Sequence, residues 1–182
     1  MKRTILTLAL VGLVLAGAES GDAAENEKLK VGETAPSFTL KTMNPELSKK
    51  KRFALRDYVG NDTKTKKRAV VLSFAASYCV PCKKELAELK KLKGSLDGAN
   101  VELAVVVIDT DPEGIAAMKK LTVDQLALEY PVLSDRFGVL ARRYHANELP
   151  MTVIISPDGQ VRWLSSGFAE GAIDKFKKAV GI

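Results

Sequence analysis

With two cysteines and one histidine in 182 residues, the sequence has few of the side chains that bind soft metals. A structural zinc centre takes four Cys or His ligands, and no second CxxC exists to complete one begun by Cys79 and Cys82. Nor are these two cysteines placed as a staple. A disulfide stabilises by closing a long loop, and a pair three positions apart closes almost none. No internal repeat is visible, and no low-complexity tract beyond the first 18 residues. Net charge is also small. Twenty-eight Lys and Arg stand against 22 Asp and Glu, and loss of Lys2 and Arg3 with a leader leaves 26 against 22. So small an excess argues against a nucleic-acid or anionic-membrane partner, and the basic stretches at 49–52 and 64–68 read as solvated loops, with a docking surface for an acidic partner as the alternative.

A membrane-spanning run is missing near the N-terminus too. Residues 4–18 are uncharged, but as a helix they would be roughly 22 Å long against a hydrocarbon core of roughly 30 Å. Lys2 and Arg3 precede this stretch, and the small residues Ala16-Gly17-Ala18 end it. The expected organisation is a cleaved signal peptide at 1–18, a charged linker at 19–30 and one domain at 31–182. The mature protein is then soluble and periplasmic or otherwise extracytoplasmic; a membrane anchor formed by an uncleaved leader is the lesser reading. Export places the two cysteines where disulfides are made and broken.

What remains is the pattern of an ordinary globular domain, 46% hydrophobic and 27% charged. VGETAPSFTL reads as a turn and short strand that pairs with residues 53–55 in a preliminary hairpin. The apolar runs 69–75 and 101–108 suit strands buried on both faces. Between them Leu86, Leu89 and Leu92 recur at helical spacing, with Gly94 as the expected C-cap. The unit is strand-helix-strand, for which a parallel pair is expected. Helices are predicted at 111–120, 122–129, 135–144 and 169–180, a strand at 130–133, and a hairpin over 151–165 turning at Pro157-Asp158-Gly159. The fold class is α/β, a mixed central sheet flanked by helices.

Chemistry concentrates at Ser77-Tyr78-Cys79-Val80-Pro81-Cys82, where the first buried strand gives way to the helix. At a helix N-terminus, unpaired N–H groups and the helix dipole favour a thiolate on Cys79. Pro81 is tolerated in the first turn, where no intrahelical donor is needed. Cys82 lies one turn on, within reach of Cys79, so the outer sulfur can exchange with a substrate and the inner one resolve the mixed disulfide.

VVLSFAASYCVPCKKELAEL resembles the active-site segment of the TlpA/ResA branch of thioredoxin-like proteins, within the wider AhpC/TSA-like superfamily. VGETAPSFTL and YHANELPMTVIISPDGQV extend the similarity over nearly all of 31–182, with an αβ insertion between about 111 and 133. The resemblance implies a thioredoxin-like fold with an N-terminal β-hairpin, and dithiol exchange on protein thiols and disulfides without a cofactor. It also implies reduction rather than oxidation, a membrane or periplasmic electron donor, and a place in cytochrome c maturation. Pro150 matches the branch's cis-proline, so Leu149 and Pro150, with Tyr78 and Pro81, are expected to meet substrate. Glu85 matches an acid characteristic of the branch and is expected to accept a proton from the cysteines or tune them; otherwise it is a first-turn acid stabilised by the helix dipole.

Three positions depart from the pattern. Tyr78 stands where tryptophan is usual, Ser73 where thioredoxin has a buried aspartate, and Met151 where threonine is common. His145 supports a rival reading, a copper-binding assembly chaperone using Cys79, Cys82 and His145, although such proteins typically space their cysteines CxxxC. The peroxiredoxin pattern PxxxTxxC is not met, because Leu72 and Ala76 occupy its proline and threonine positions.

Overall fold

The computed structural model describes residues 28–61, 63 and 65–182; the expected signal peptide and most of the linker lie outside them. Strands Thr39–Lys41 (β1) and Arg52–Ala54 (β2) form the expected antiparallel hairpin, Leu40 opposite Phe53. A short helix, Pro45–Ser48 (α1), lies between them. Next come Ala69–Ala75 (β3) and Val101–Val107 (β4), buried at every position as the two apolar runs require. They pair in parallel, Ala69 opposite Val101 through Ala75 opposite Val107. Val132–Ser134 (β5) adds a parallel edge beyond β4. On the other side Met151–Ile155 (β6) pairs antiparallel with β3, and Val161–Ser166 (β7) antiparallel with β6. The order is β5-β4-β3-β6-β7, a mixed sheet.

Two-residue alternation assigns the faces. Val71 and Ala75 face the longest helix, Val80–Lys91 (α2), whose Leu86 and Leu89 are buried against them. Burial of each such leucine contributes about 2 kcal/mol. Val70, Leu72 and Phe74 face the hairpin side, among Phe38, Phe53 and Tyr144. The sheet is thus covered on both sides, with β3 at its centre. Helix Ala172–Val180 also packs on the α2 side, through Phe176 and Val180.

Helix ends differ most from expectation. Gly94 is not a C-cap: Leu92 remains right-handed (φ −87°, ψ −1°), and the chain turns directly into Lys93–Gly98 (α3), burying Leu96. Pro112–Lys119 (α4) runs on into a π-helical turn, Lys120–Gln125, in place of a separate helix at 122–129. There Thr122 is buried and donates to the Met118 carbonyl at 2.7 Å. The helix expected from 135 is confined to Val139–Arg143 (α5), because Gly138 is left-handed at its start. Asp135 instead accepts from the Ala141 N–H at 2.7 Å. Ala172–Val180 (α6) begins three residues later than predicted, after left-handed Gly171.

The described chain begins beside β7. Gly32 and Val161, then Val161 and Glu33, exchange backbone bonds of 2.8 Å near the start of that strand. Lys28 and Leu29 lie near its other end, in a cavity shared with Leu164 and Ser166. No helix of the described residues is long and apolar enough to cross a membrane.

Candidate active site

The carboxyl end of β3 delivers the chain to α2 through Ala76, Ser77 and Tyr78. Cys79 is the N-cap of α2, extended at φ −86° and ψ 97°, and its Sγ accepts the Cys82 N–H at 3.2 Å. Cys79 and Cys82 form a disulfide across a Cα–Cα distance of 5.3 Å. Cys79 is 7% exposed and Cys82 fully buried, the asymmetry that the helix register predicts. Pro81 occupies the first turn, where its missing N–H breaks no bond.

The loop before Cys79 is held by a residue that the motifs do not reveal. Asp109, buried just past β4, accepts from the Ser77 N–H at 3.0 Å and the Ser77 hydroxyl at 2.6 Å. A Cβ added at Gly114 would clash with this carboxylate, so glycine there lets the first turn of α4 close over it. Its place at the carboxyl end of a parallel strand, beside the one carrying the cysteines, is the signal that could have found it.

Tyr78 and Val80 are the exposed apolar rim of a cleft of about 410 Å³, lined also by Cys79, Pro81, Ala146, Asn147 and Leu149. The Leu149–Pro150 peptide is cis, as the resemblance implies. Pro150 is buried, and its carbonyl accepts the Gly167 N–H at 2.8 Å. Tyr78, Pro81 and Leu149 therefore line one cleft with Cys79.

Glu85 sits one helical turn beyond Cys82 and is 7% exposed. Ser73 and Thr152 are cross-strand neighbours on β3 and β6, so both side chains reach the same side of the sheet. The Ser73 hydroxyl donates to one carboxylate oxygen at 2.9 Å, and the Thr152 hydroxyl to the other at 2.8 Å. Burial pushes the Glu85 carboxyl above its usual range, while these two hydrogen bonds pull the other way and do not cancel it. The Ser73 hydroxyl thus supports a carboxylate contributed by the helix. Thr152 was not foreseen, since only strand register brings it opposite Ser73.

His145, left-handed at φ 52°, belongs to a different cavity, with Lys28, Leu29, Glu148 and Leu164. The structure does not bring it into the cleft of Cys79, and the described residues contain no cluster of three or more metal-ligating His, Cys, Asp or Glu side chains. Trp163 packs on Phe176 at 6.5 Å between ring centroids, and Phe74 on Tyr144 at 5.3 Å.

A disulfide at the N-terminus of the helix after a central strand, beside a cis-proline loop on a mixed sheet, defines a thioredoxin-like protein. The chain belongs to the AhpC/TSA family, which it matches over residues 31–164. It is 30% identical over 159 residues to the thiol-disulfide oxidoreductase ResA of Bacillus thuringiensis subsp. konkukian, covering 87% of this chain and 83% of that protein. Among solved structures, a Chlorobium tepidum protein described as a thiol:disulfide interchange protein DsbE has a TM-score of 0.69 at 23% identity, covering 84% of this chain and 96% of that one. Mycobacterium tuberculosis AhpC has a TM-score of 0.62 at 17% identity, covering 85% and 93%. The two structural likenesses speak for the fold, whereas the similarity to ResA makes the chain a homologue of a thiol-disulfide oxidoreductase.

Proposed function

We propose that the chain is an extracytoplasmic protein-disulfide reductase working through Cys79 and Cys82. The observation that carries this reading is the asymmetric pair at the start of α2, with Cys79 at the cleft and Cys82 buried behind it. In the reduced protein the Cys79 thiolate attacks a substrate disulfide. That S–S bond breaks, one substrate sulfur leaves and takes up a proton, and a mixed disulfide forms on Cys79. Cys82 then gives up its proton, with Glu85 as acceptor, and attacks the Cys79 sulfur. The second substrate thiol is released, and the Cys79–Cys82 disulfide remains. Two electrons have passed to the substrate, and a membrane or periplasmic dithiol donor must return them.

Tyr78, Pro81 and Leu149 form the surface on which an extended substrate segment lies, and the buried cis-Pro150 behind them sets the course of the Leu149 backbone. The resemblance of the active-site segment to the TlpA/ResA branch supports reduction as the direction. The same resemblance supports cytochrome c maturation as the setting, where the substrate is an oxidised CxxCH haem-attachment segment. No cofactor is needed for this exchange.

Single-cysteine variants test the division of labour. Cys82→Ser should accumulate a mixed disulfide with an oxidised CxxCH peptide, and Cys79→Ser should not; equal trapping by both would overturn it. The reduction potential of the pair tests the direction, since about 30 mV is a tenfold change in the exchange equilibrium. A value more oxidising than that of the peptide would reverse the assignment.

A further inference from the structure

The charge of this protein is concentrated in one stretch. Of its 28 basic and 22 acidic residues, nine basic and two acidic lie within 49–68, leaving nineteen against twenty elsewhere. The fold gathers the described part of this stretch. Lys50 and Lys67 both meet the Glu102 carboxylate near the start of β4, the second at 3.5 Å, and the Lys50 ammonium lies 5.0 Å above the Tyr58 ring. Residues 49–52 and 66–68 are thereby clamped side by side. Around the clamp Lys49, Lys51, Arg52, Arg56 and Lys66 are exposed. Of these only Arg52 has a carboxylate partner among the described residues, Asp57 at 3.6 Å.

Two features favour a lipid surface over a protein. Protein interfaces are anchored by apolar and aromatic side chains that exclude water. The large apolar side chains exposed among the described residues are Val31, Tyr78, Val80, Phe137 and Val139, none of them in this stretch. The free charges are mostly lysines, flexible point charges that suit a diffuse field of headgroups. The forked guanidinium of Arg68 is occupied internally, donating to the carbonyls of Ala99 and Val180 at 3.0 and 2.6 Å.

We propose that this basic face docks the protein onto an anionic phospholipid surface, with the disulfide end turned away from it. Arg68 directly precedes β3, and the cysteines follow its other end; seven strand residues at about 3.3 Å each separate the two by roughly 20 Å. The cleft of Cys79 thus stays open to substrate while the opposite end meets the headgroups.

Flotation of the processed protein, as recovered from the producing cell, with vesicles of 30% phosphatidylglycerol in phosphatidylcholine is the test. At low ionic strength it should partition at least tenfold more than with phosphatidylcholine alone, and about 0.5 M salt should abolish the difference. A Lys49→Glu, Lys51→Glu, Lys66→Glu variant should lose at least tenfold in partitioning, with an unchanged thermal midpoint and unchanged disulfide exchange. Equal partitioning with the two vesicle types would overturn the proposal, as would a folded triple variant that binds like the original. Binding to immobilised polyglutamate that survives the salt releasing the vesicles would assign the face to an acidic protein and also overturn it.

Discussion

Two carboxylates are buried to the same degree in this sheet, Glu85 at 7% exposure and Glu102 at 8%, and their surroundings differ completely. Glu102 lies between two ammonium groups, those of Lys50 and Lys67, which are themselves 32% and 20% exposed. Glu85 has two hydroxyls and, among the described residues, no cation in a salt bridge with it. A carboxylate between lysines ties segments together. One satisfied only by Ser73 and Thr152 takes up a proton more readily, which suits a group beside a dithiol that gains and loses protons. Burial alone does not separate a clamp from a proton acceptor; the partners do.

The largest stability loss is expected at the clamp. Glu102→Gln leaves both lysines without their counter-charge, and because these are partly solvated the cost should be about 2 kcal/mol, below that of a fully buried pair. The urea midpoint measures it. A neutral substitution would show that Glu102 does not tie the basic segments to the sheet. Thr152→Val comes next, at about 1.5 kcal/mol, for it deprives a buried carboxyl of one of its two donors. The Glu85 titration, followed by carboxyl infrared absorption, should move further up. An unmoved titration would mean that Thr152 contributes shape only.

Glu85→Gln should have the smallest effect at any one pH, within about 1 kcal/mol, but a characteristic pH dependence. Because the folded protein holds the Glu85 proton more tightly than the unfolded chain, wild-type stability falls as pH rises from the usual carboxylate range through the raised folded value. Glutamine has no such loss, so its advantage over glutamate should grow across that window and then level off. Parallel stability curves would show that folding does not tighten the hold on the Glu85 proton. In the reduced protein the same variant should alkylate Cys79 at lower pH than wild type, since removing a negative charge favours the thiolate. Superimposable alkylation profiles would confine Glu85 to a structural part.

The contrast also marks what sequence could and could not reveal. β3 and β4 were readable because covered strands have no polar face, and Cys79 because a short spacing at a strand-helix junction has few structural uses. Glu85 was readable from the branch motif. Its partner Thr152 was not, because it is 67 positions away and meets the carboxylate only through the pairing of β3 with β6. Asp109 was hidden in the same way, since Ser77 is 32 residues off and joined to it through parallel register. Helix ends failed for local reasons. Leu92 stays right-handed and keeps the apolar rhythm going to Leu96, so the glycine at 94 ends nothing.

The path of the chain beside β7 decides where this protein can be leashed. Lys28 shares a cavity with Asn147, and Asn147 also lines the cleft of Cys79. The carboxyl terminus lies at the far end, where Arg68 reaches the carbonyls of Val180 and Gly181. A cargo joined ahead of residue 28 by a ten-residue flexible spacer would roam within about 17 Å of its attachment, at an effective concentration in the millimolar range. The same cargo joined after Ile182 would have to reach around the whole domain. The two ends of one polypeptide are therefore unequal handles: the amino-terminal side offers the disulfide a captive substrate, and the carboxyl-terminal side withholds it.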